Sequence, residues 1–232
     1  QQFCEPTMNT SADAASRRTH QSGAVELGHP LVRHYLSQLR DAATPPAAFR
    51  QLIQRLSAIL AYEATRDLAE KTIEVQTPLC KTQGHELAQR IALVPILRAG
   101  PGMVDPVLGM IPQAEVWHLG IYRDERTMQP VEYYSKLPAT EPVDVALVLD
   151  PMLATGGSVL AALQTLADWG VSKVKVLSVI ASKDGVRAIH EKHAHAQLYV
   201  AAVDPELDEL RRVVGRAIGM VELDRLSGQG AG

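Results

Sequence analysis

The residues from Asp150 to Ser158 combine a carboxylate, two hydroxyls and two glycines at a spacing that suits phosphate chemistry. The apolar run Val145–Leu149 reads as a buried strand and ends on Asp150. Pro151, Met152, Leu153 and Ala154 make a short loop, and Thr155, Gly156, Gly157 and Ser158 then open Gly157–Trp169, which has helical periodicity. Glycines let backbone N–H groups approach a ligand closely. A helix N-terminus adds unpaired donors and a partial positive charge, and Thr155 and Ser158 supply hydroxyls. The turn holds no lysine, so it is not a Walker A loop, and it lacks the Gly-x-Gly-x-x-Gly dinucleotide fingerprint. Asp150 stands where it can accept from sugar hydroxyls, so a ribose phosphate fits better than a nucleoside triphosphate. The competing reading is an ordinary strand-to-helix turn with serine and glycine as local caps.

Two arginines stand at strand ends. Arg98 follows the apolar run Ile91–Leu97 and precedes Gly100-Pro101-Gly102, and Arg123 follows Gly120-Ile121-Tyr122. Planar guanidinium groups suit bidentate binding of phosphate or diphosphate oxygens. Taken singly, either arginine also reads as a surface ion-pair partner of Asp124 or Glu125. Two of them beside a phosphate loop favour anion binding. His190, His193 and His195 straddle a helix-to-strand junction, and no carboxylate or cysteine completes a metal set, so they read as a solvated helix end. The segment Tyr62–Asp67 ends a helix with mixed charges and reads as a network of ion pairs.

The elements that must position these groups follow from periodicity. Val32, Tyr35, Leu36 and Leu39 form one amphipathic stripe, and Phe49, Leu52, Ile53, Leu56, Ile59 and Leu60 a second, with Thr44 as its expected N-cap ahead of Pro45 and Pro46. Strands are expected over 73–77, 91–97, 114–122, 131–136, 145–149, 174–181 and 197–202. Helices are expected over 104–111, 157–169 and 183–193, with a polar turn over 123–129. Alternating buried strands and helices indicate an α/β fold with a doubly wound, mostly parallel sheet. It would carry an N-terminal helical extension and a hairpin cover. Residues 1–24 are polar, without periodicity, and read as a disordered tail; residues 25–232 form the expected domain.

With 232 residues, 46% of them hydrophobic, the chain can bury one sizeable core. Its formal net charge of −3 offers no basic excess for nucleic acid or an anionic membrane. Two cysteines, Cys4 and Cys80, make neither a disulfide framework nor a zinc spacing, which points to a reducing cytoplasm. No apolar run is long enough for a transmembrane helix, and the N-terminus has no secretory pattern.

The turn with Pro151 directly after its first acid resembles the phosphoribosyl-diphosphate motif of the uracil phosphoribosyltransferase family, within the type I phosphoribosyltransferases. His29-Pro-Leu-Val32, Phe49-Arg50, Tyr62–Leu68, Ile96–Gly100, Gly120–Glu125 and Tyr133–Pro138 resemble that family's landmarks in the same order, from about Leu27 to about Glu209. The resemblance implies transfer of a phosphoribosyl group from 5-phosphoribosyl 1-diphosphate to uracil, giving UMP and diphosphate in pyrimidine salvage. It implies Mg2+ carried by the diphosphate rather than by a direct protein site. Arg98 and Arg123 would hold the diphosphate. Asp150 would take ribose hydroxyls, and the turn through Pro151, Met152, Leu153, Ala154, Thr155, Gly156, Gly157 and Ser158 would cradle the 5′-phosphate. The hairpin between Tyr122 and Tyr134 would cover the diphosphate. Uracil and the sugar diphosphate are the implied partners, with a homo-oligomer and a GTP effector as further family features.

The resemblance lapses near the C-terminus. The family has a Pro-Gly-Leu-Gly-Asp-Ala-Gly-Asp-Arg run there that recognises uracil, whereas this chain runs Leu210–Glu222 without it and falls back into step at Leu223-Asp224-Arg225. By position, Val213, Ile218, Gly219 and Met220 would stand at the uracil site. Two explanations compete: divergence of base recognition, or a pair of compensating frameshifts across the window. The departure keeps open a non-catalytic binder of phosphoribosyl diphosphate and a transferase for another base.

Overall fold

The structure is a computed structural model that describes residues 17–19, 23–123, 130–135, 137–138 and 141–204. In chain order the elements are strands β1 (Arg17–Thr19) and β2 (Ala24–Leu27), helices α1 (Pro30–Arg40) and α2 (Pro46–Ala64), and strands β3 (Glu70–Gln76), β4 (Lys81–Leu87) and β5 (Ile91–Leu97). A 3-10 turn at Gly100–Met103 leads into α3 (Val104–Met110). Strands β6 (Glu115–Val116), β7 (Leu119–Arg123), β8 (Pro130–Ser135), β9 (Val145–Leu149) and β10 (Met152–Leu153) follow. Helix α4 (Gly157–Trp169), strand β11 (Lys173–Ser182), helix α5 (Lys183–Lys192) and strand β12 (Gln197–Asp204) complete the described chain.

The main sheet runs β1-β2-β12-β11-β9-β5-β7-β8, with β10 on β11 and β6 on β5. Its centre is parallel: β12, β11, β9, β5 and β7 all point the same way, and β1 and β8 are antiparallel edges. Side chains alternate across it, as the pleat requires. Leu93, Leu147, Leu177 and Tyr199 meet α1, α2 and α3 on one face; Val94, Val148, Val176 and Val200 meet α4 and α5 on the other. Helices on both faces make the sheet doubly wound and explain why its strands read as continuous apolar runs.

Several elements depart from the sequence expectation. Pro45, not Thr44, occupies the N-cap of α2, and no side chain caps that helix. The Thr44 hydroxyl instead donates to the Gln38 carbonyl and closes the α1–α2 connection. The strand expected over 114–122 is two strands, β6 and β7, separated by Trp117 and His118. The strand expected over 73–77 is longer and pairs with β4, which periodicity did not reveal. The two form their own antiparallel sheet. Every residue of this arm is exposed or half-buried, and cross-strand ion pairs such as Lys71–Glu86 and Lys81–Glu74, each 2.6 Å, replace an apolar face. The tail expected over 1–24 lies mostly outside the described residues, although Arg17–Thr19 pairs with β2. The polar turn after Arg123 and the whole segment 205–232 also lie outside them.

A buried lysine ties α2 to the sheet. Lys175 lies in the middle of apolar β11, fully buried, and its ammonium donates to the Ala64 carbonyl at the end of α2 and to the Asp67 carboxylate. Lys173 reaches the other oxygen of Asp67 at 3.0 Å, and Arg66 pairs with Glu63 at 2.9 Å. This is the ion-pair network read into Tyr62–Asp67.

Candidate functional site

Strand β9 is buried along its whole length and delivers Asp150 to the carboxyl edge of the sheet. Pairing continues past the carboxylate at constant offset: Leu149 faces Leu177, and Met152 faces Ile180. The short loop expected after Asp150 therefore contains a two-residue strand, β10. Pro151 donates nothing, but its carbonyl accepts from the Val179 and Ile180 N–H groups at 3.2 and 3.1 Å. The Met152 N–H folds back to Asp150 Oδ1 at 3.2 Å.

Beyond Ala154 the chain turns sharply. Gly156 has φ +81°, a left-handed conformation that favours glycine, and it stands at the N-cap of α4. A Cβ there would also crowd the Gly185 carbonyl at 3.3 Å. Among the described residues no side chain caps α4. Its first intrahelical bond is Leu160 N–H to Gly156 carbonyl, 2.8 Å, so the N–H groups of Gly157, Ser158 and Val159 precede the helical ladder. These residues, with Asp150 and Met152–Thr155, line a recess of about 80 Å3. Thr155 is exposed at its rim and Ser158 half-buried. The recess matches an anion cradle: uncapped N–H groups, two hydroxyls and the positive end of a thirteen-residue helix.

Asp150 differs from an ordinary surface acid. Burial pushes its carboxyl up to about 7, against the smaller lowering effect of the Met152 N–H. The carboxylate is thus poised to ionise near neutral pH, where a ligand hydroxyl or cation would favour its charged form.

The arginines reach the same edge from neighbouring strands. Pro95 pairs with Leu149 and Leu97 with Gly120, so Arg98 lies just beyond the end of β5, as Asp150 lies just beyond β9, and Arg123 is the last residue of β7. Arg98 is exposed in the turn after β5. The side chain of Arg123 is outside the description. From β5 the chain crosses by α3 to β7, and from β9 it crosses by α4 to β11. The cleft between β5 and β9 is therefore the topological switch point of the sheet, where open α/β sheets bind ligands. Asp150 and Arg98 flank it.

The family model for uracil phosphoribosyltransferase matches residues 26–219. The chain belongs to the uracil phosphoribosyltransferase family. The uracil phosphoribosyltransferase of Roseiflexus castenholzii (strain DSM 13941 / HLO8) is 54% identical over 186 residues, 80% of this chain and 89% of that protein. The uracil phosphoribosyltransferase of Clostridium botulinum (strain Eklund 17B / Type B) is 44% identical over 194 residues, 83% of this chain and 93% of that protein. Among solved structures, the AQ2163 protein from Aquifex aeolicus superposes with a TM-score of 0.73 at 36% identity, covering 78% of this chain and 87% of that one.

The structure gathers Asp150 and Met152–Ser158 around one recess, with Pro151 in the same loop and Arg98 in the turn after the neighbouring strand β5. Val213, Ile218, Gly219 and Met220 lie outside the described residues. His193 and His195 meet edge-to-face with ring centroids 5.7 Å apart, while His190 packs on Gly23. Among the described residues no group of three or more His, Cys, Asp or Glu gathers as a metal site. None of the described helices is long and apolar enough to cross a membrane. Sequence reading missed Ser178, Ser182 and Gly185, which contact the loop from β11 and α5. The visible signal was Ser182 directly ahead of a helical stretch, an N-cap position.

Proposed function

We propose that this chain transfers the phosphoribosyl group of 5-phosphoribosyl 1-diphosphate to uracil, releasing UMP and diphosphate. The observation that carries the reading is the recess at Asp150–Val159, placed at the switch point of the sheet in a member of this family. The donors of the recess suit a ribose 5-phosphate: phosphate on the N–H groups and hydroxyls of Thr155–Ser158 within the recess, ribose hydroxyls on Asp150 at its edge.

In this reading the bond from the ribose anomeric carbon to the diphosphate oxygen breaks, and a bond to the uracil ring nitrogen forms. The proton of that nitrogen leaves to solvent, and no histidine is assigned as base. Positive charge grows on the ribose and negative charge on the leaving diphosphate. Arg98 and Arg123 stabilise the diphosphate, and an ionised Asp150 faces the sugar. A hairpin closing over the site from β7–β8 would keep water out. Among the described residues Asp150 is the one carboxylate lining the recess, a donor set that suits Mg2+ arriving on the diphosphate rather than a resident ion. When bound, Mg2+ neutralises diphosphate charge.

Val213, Ile218, Gly219 and Met220 are proposed for the uracil end. The family match extends through Gly219 and so spans the first three. The altered run at 210–222 favours one second reading, transfer to a different base. A homo-oligomer is supported by Leu31 and Tyr62, exposed beside a groove of about 380 Å3 between the start of α1 and the end of α2. The GTP effector rests on family resemblance alone, and a cytoplasmic setting on the sparse cysteines. Incubating the protein with 5-phosphoribosyl 1-diphosphate, Mg2+ and a panel of bases tests the reading. UMP as the dominant nucleotide supports it. A nucleotide of another base transfers the role to that base, and no nucleotide with any base defeats both.

A further inference from the structure

We propose that Ser178 and Ser182, two buried serines of β11 that would not touch substrate, are positioning residues that hold the phosphate loop in its binding shape. The inference rests on reading the Asp150–Ser158 recess as the phosphoribosyl site.

Both hydroxyls are buried and doubly bonded. Ser178 Oγ accepts from the Leu153 N–H at 3.1 Å and donates to the Ile180 carbonyl at 3.0 Å. Ser182 Oγ donates to the Ala154 carbonyl and accepts from the Gly185 N–H at 2.9 Å, capping α5. The two serines thus grip consecutive residues, Leu153 and Ala154, where the backbone stops following β11 and swings toward Thr155. The β10–β11 ladder pairs only Met152 and Leu153, so side-chain hydroxyls take over where sheet pairing ends.

A second observation shows how closely the loop is held. A Cβ on Gly185 would stand 2.5 Å from the Ala154 carbonyl oxygen and 3.0 Å from Leu153 Cγ. The N-terminus of α5 therefore lies directly against the loop, and Ser182 joins the two with one hydroxyl. Displacing Ala154 would carry along Thr155, Gly156 and the donors at the start of α4. Donors aimed in advance at a phosphate bind it without further ordering, so loosening the loop should weaken phosphate binding specifically.

The test is calorimetric binding of ribose 5-phosphate to wild type, Ser182→Ala, Ser178→Ala and Ser182→Thr, with melting temperatures and the KM values for both substrates. The expected result is affinity for ribose 5-phosphate weakened about tenfold or more in each alanine variant. KM for 5-phosphoribosyl 1-diphosphate should rise in parallel while KM for uracil stays within about twofold, and Ser182→Thr, which keeps the hydroxyl, should recover most of the loss. Alanine variants with lower melting temperatures but wild-type affinity would reduce the serines to a structural role and overturn the proposal. If the wild type binds ribose 5-phosphate yet makes no UMP, the proposed reaction fails while the calorimetry still decides the serines. If the wild type binds no ribose 5-phosphate, both readings fall.

Discussion

Gly100 packs so tightly on Leu149 that a Cβ on the glycine would stand 2.5 Å from the Leu149 carbonyl oxygen. Leu149 is the last residue of β9 before Asp150, and Gly100 lies two residues after Arg98. Their contact brings the turn after β5 against the end of β9 and sets the arginine and the carboxylate on either side of one cleft. Gly100→Ala must push the turn away from β9 and should destabilise the fold by about 2 kcal/mol. Gly102, in the same turn, has nothing within 4 Å of an added Cβ, so Gly102→Ala should stay within about 0.5 kcal/mol of wild type. Urea unfolding of the two variants makes the comparison; equal stabilities would contradict the packing described.

Arg98→Ala should weaken binding of diphosphate by about tenfold or more, because it removes the charge-assisted contact proposed for this arginine. Calorimetry with diphosphate and Mg2+ measures it, and an unchanged affinity would remove Arg98 from the site.

The raised Asp150 carboxyl makes a signed prediction. Its folded value of about 7 lies above the ordinary 3.8, so the folded state holds the proton more tightly than the unfolded chain. Stability from this group is greatest below pH 4, falls as pH rises to 7 and is level above that. Asp150→Asn lacks the titration and should gain on wild type by about 1 to 3 kcal/mol between pH 4 and pH 8. The same variant should bind ribose 5-phosphate more weakly at pH 8, having lost the charged acceptor. Denaturation at the two pH values and calorimetry at the higher one check both signs.

Asp67 is the partner that makes buried Lys175 tolerable. Burial alone would raise the Asp67 carboxyl, but hydrogen bonds from Lys175 and Lys173 outweigh it and hold the group below its ordinary 3.8. Its contribution is therefore present above about pH 4 and is lost as pH falls further. Asp67→Ala should cost about 2 kcal/mol near neutrality, the half-exposed position of the carboxylate keeping the figure modest. Lys175→Met in that background should return part of the loss. Thermal denaturation of the single and double variants decides; a double variant less stable than Asp67→Ala would contradict the account.

Much of this was legible in the sequence wherever one physical rule dominated. Buried parallel strands must be apolar on both faces, so Val145–Leu149 and Ile91–Leu97 stood out with the bounds that the structure gives them. Glycine at the start of α4 and Gly170 after its end marked that helix at both ends. The β3–β4 arm carries charge pairs instead of an apolar face, and β4 therefore left no alternation to read. Lys175 looked like a polar interruption of a strand because its partners, Ala64 and Asp67, lie more than 100 residues earlier. The phosphate turn could be read locally, since its glycines and hydroxyls are consecutive. The serines that hold it are 25 and 28 residues further on, joined to it only by the fold. Thr44 has the residue type and place of a cap, yet its side chain bonds backward to α1 rather than forward to α2.

Diphosphate release tests the central claim most directly. Purified protein with 5-phosphoribosyl 1-diphosphate and Mg2+ is followed with and without uracil, and UMP is quantified in parallel. The account predicts release only when uracil is present, one diphosphate for each UMP formed. Release at the same rate without uracil, or diphosphate with no UMP, would contradict it.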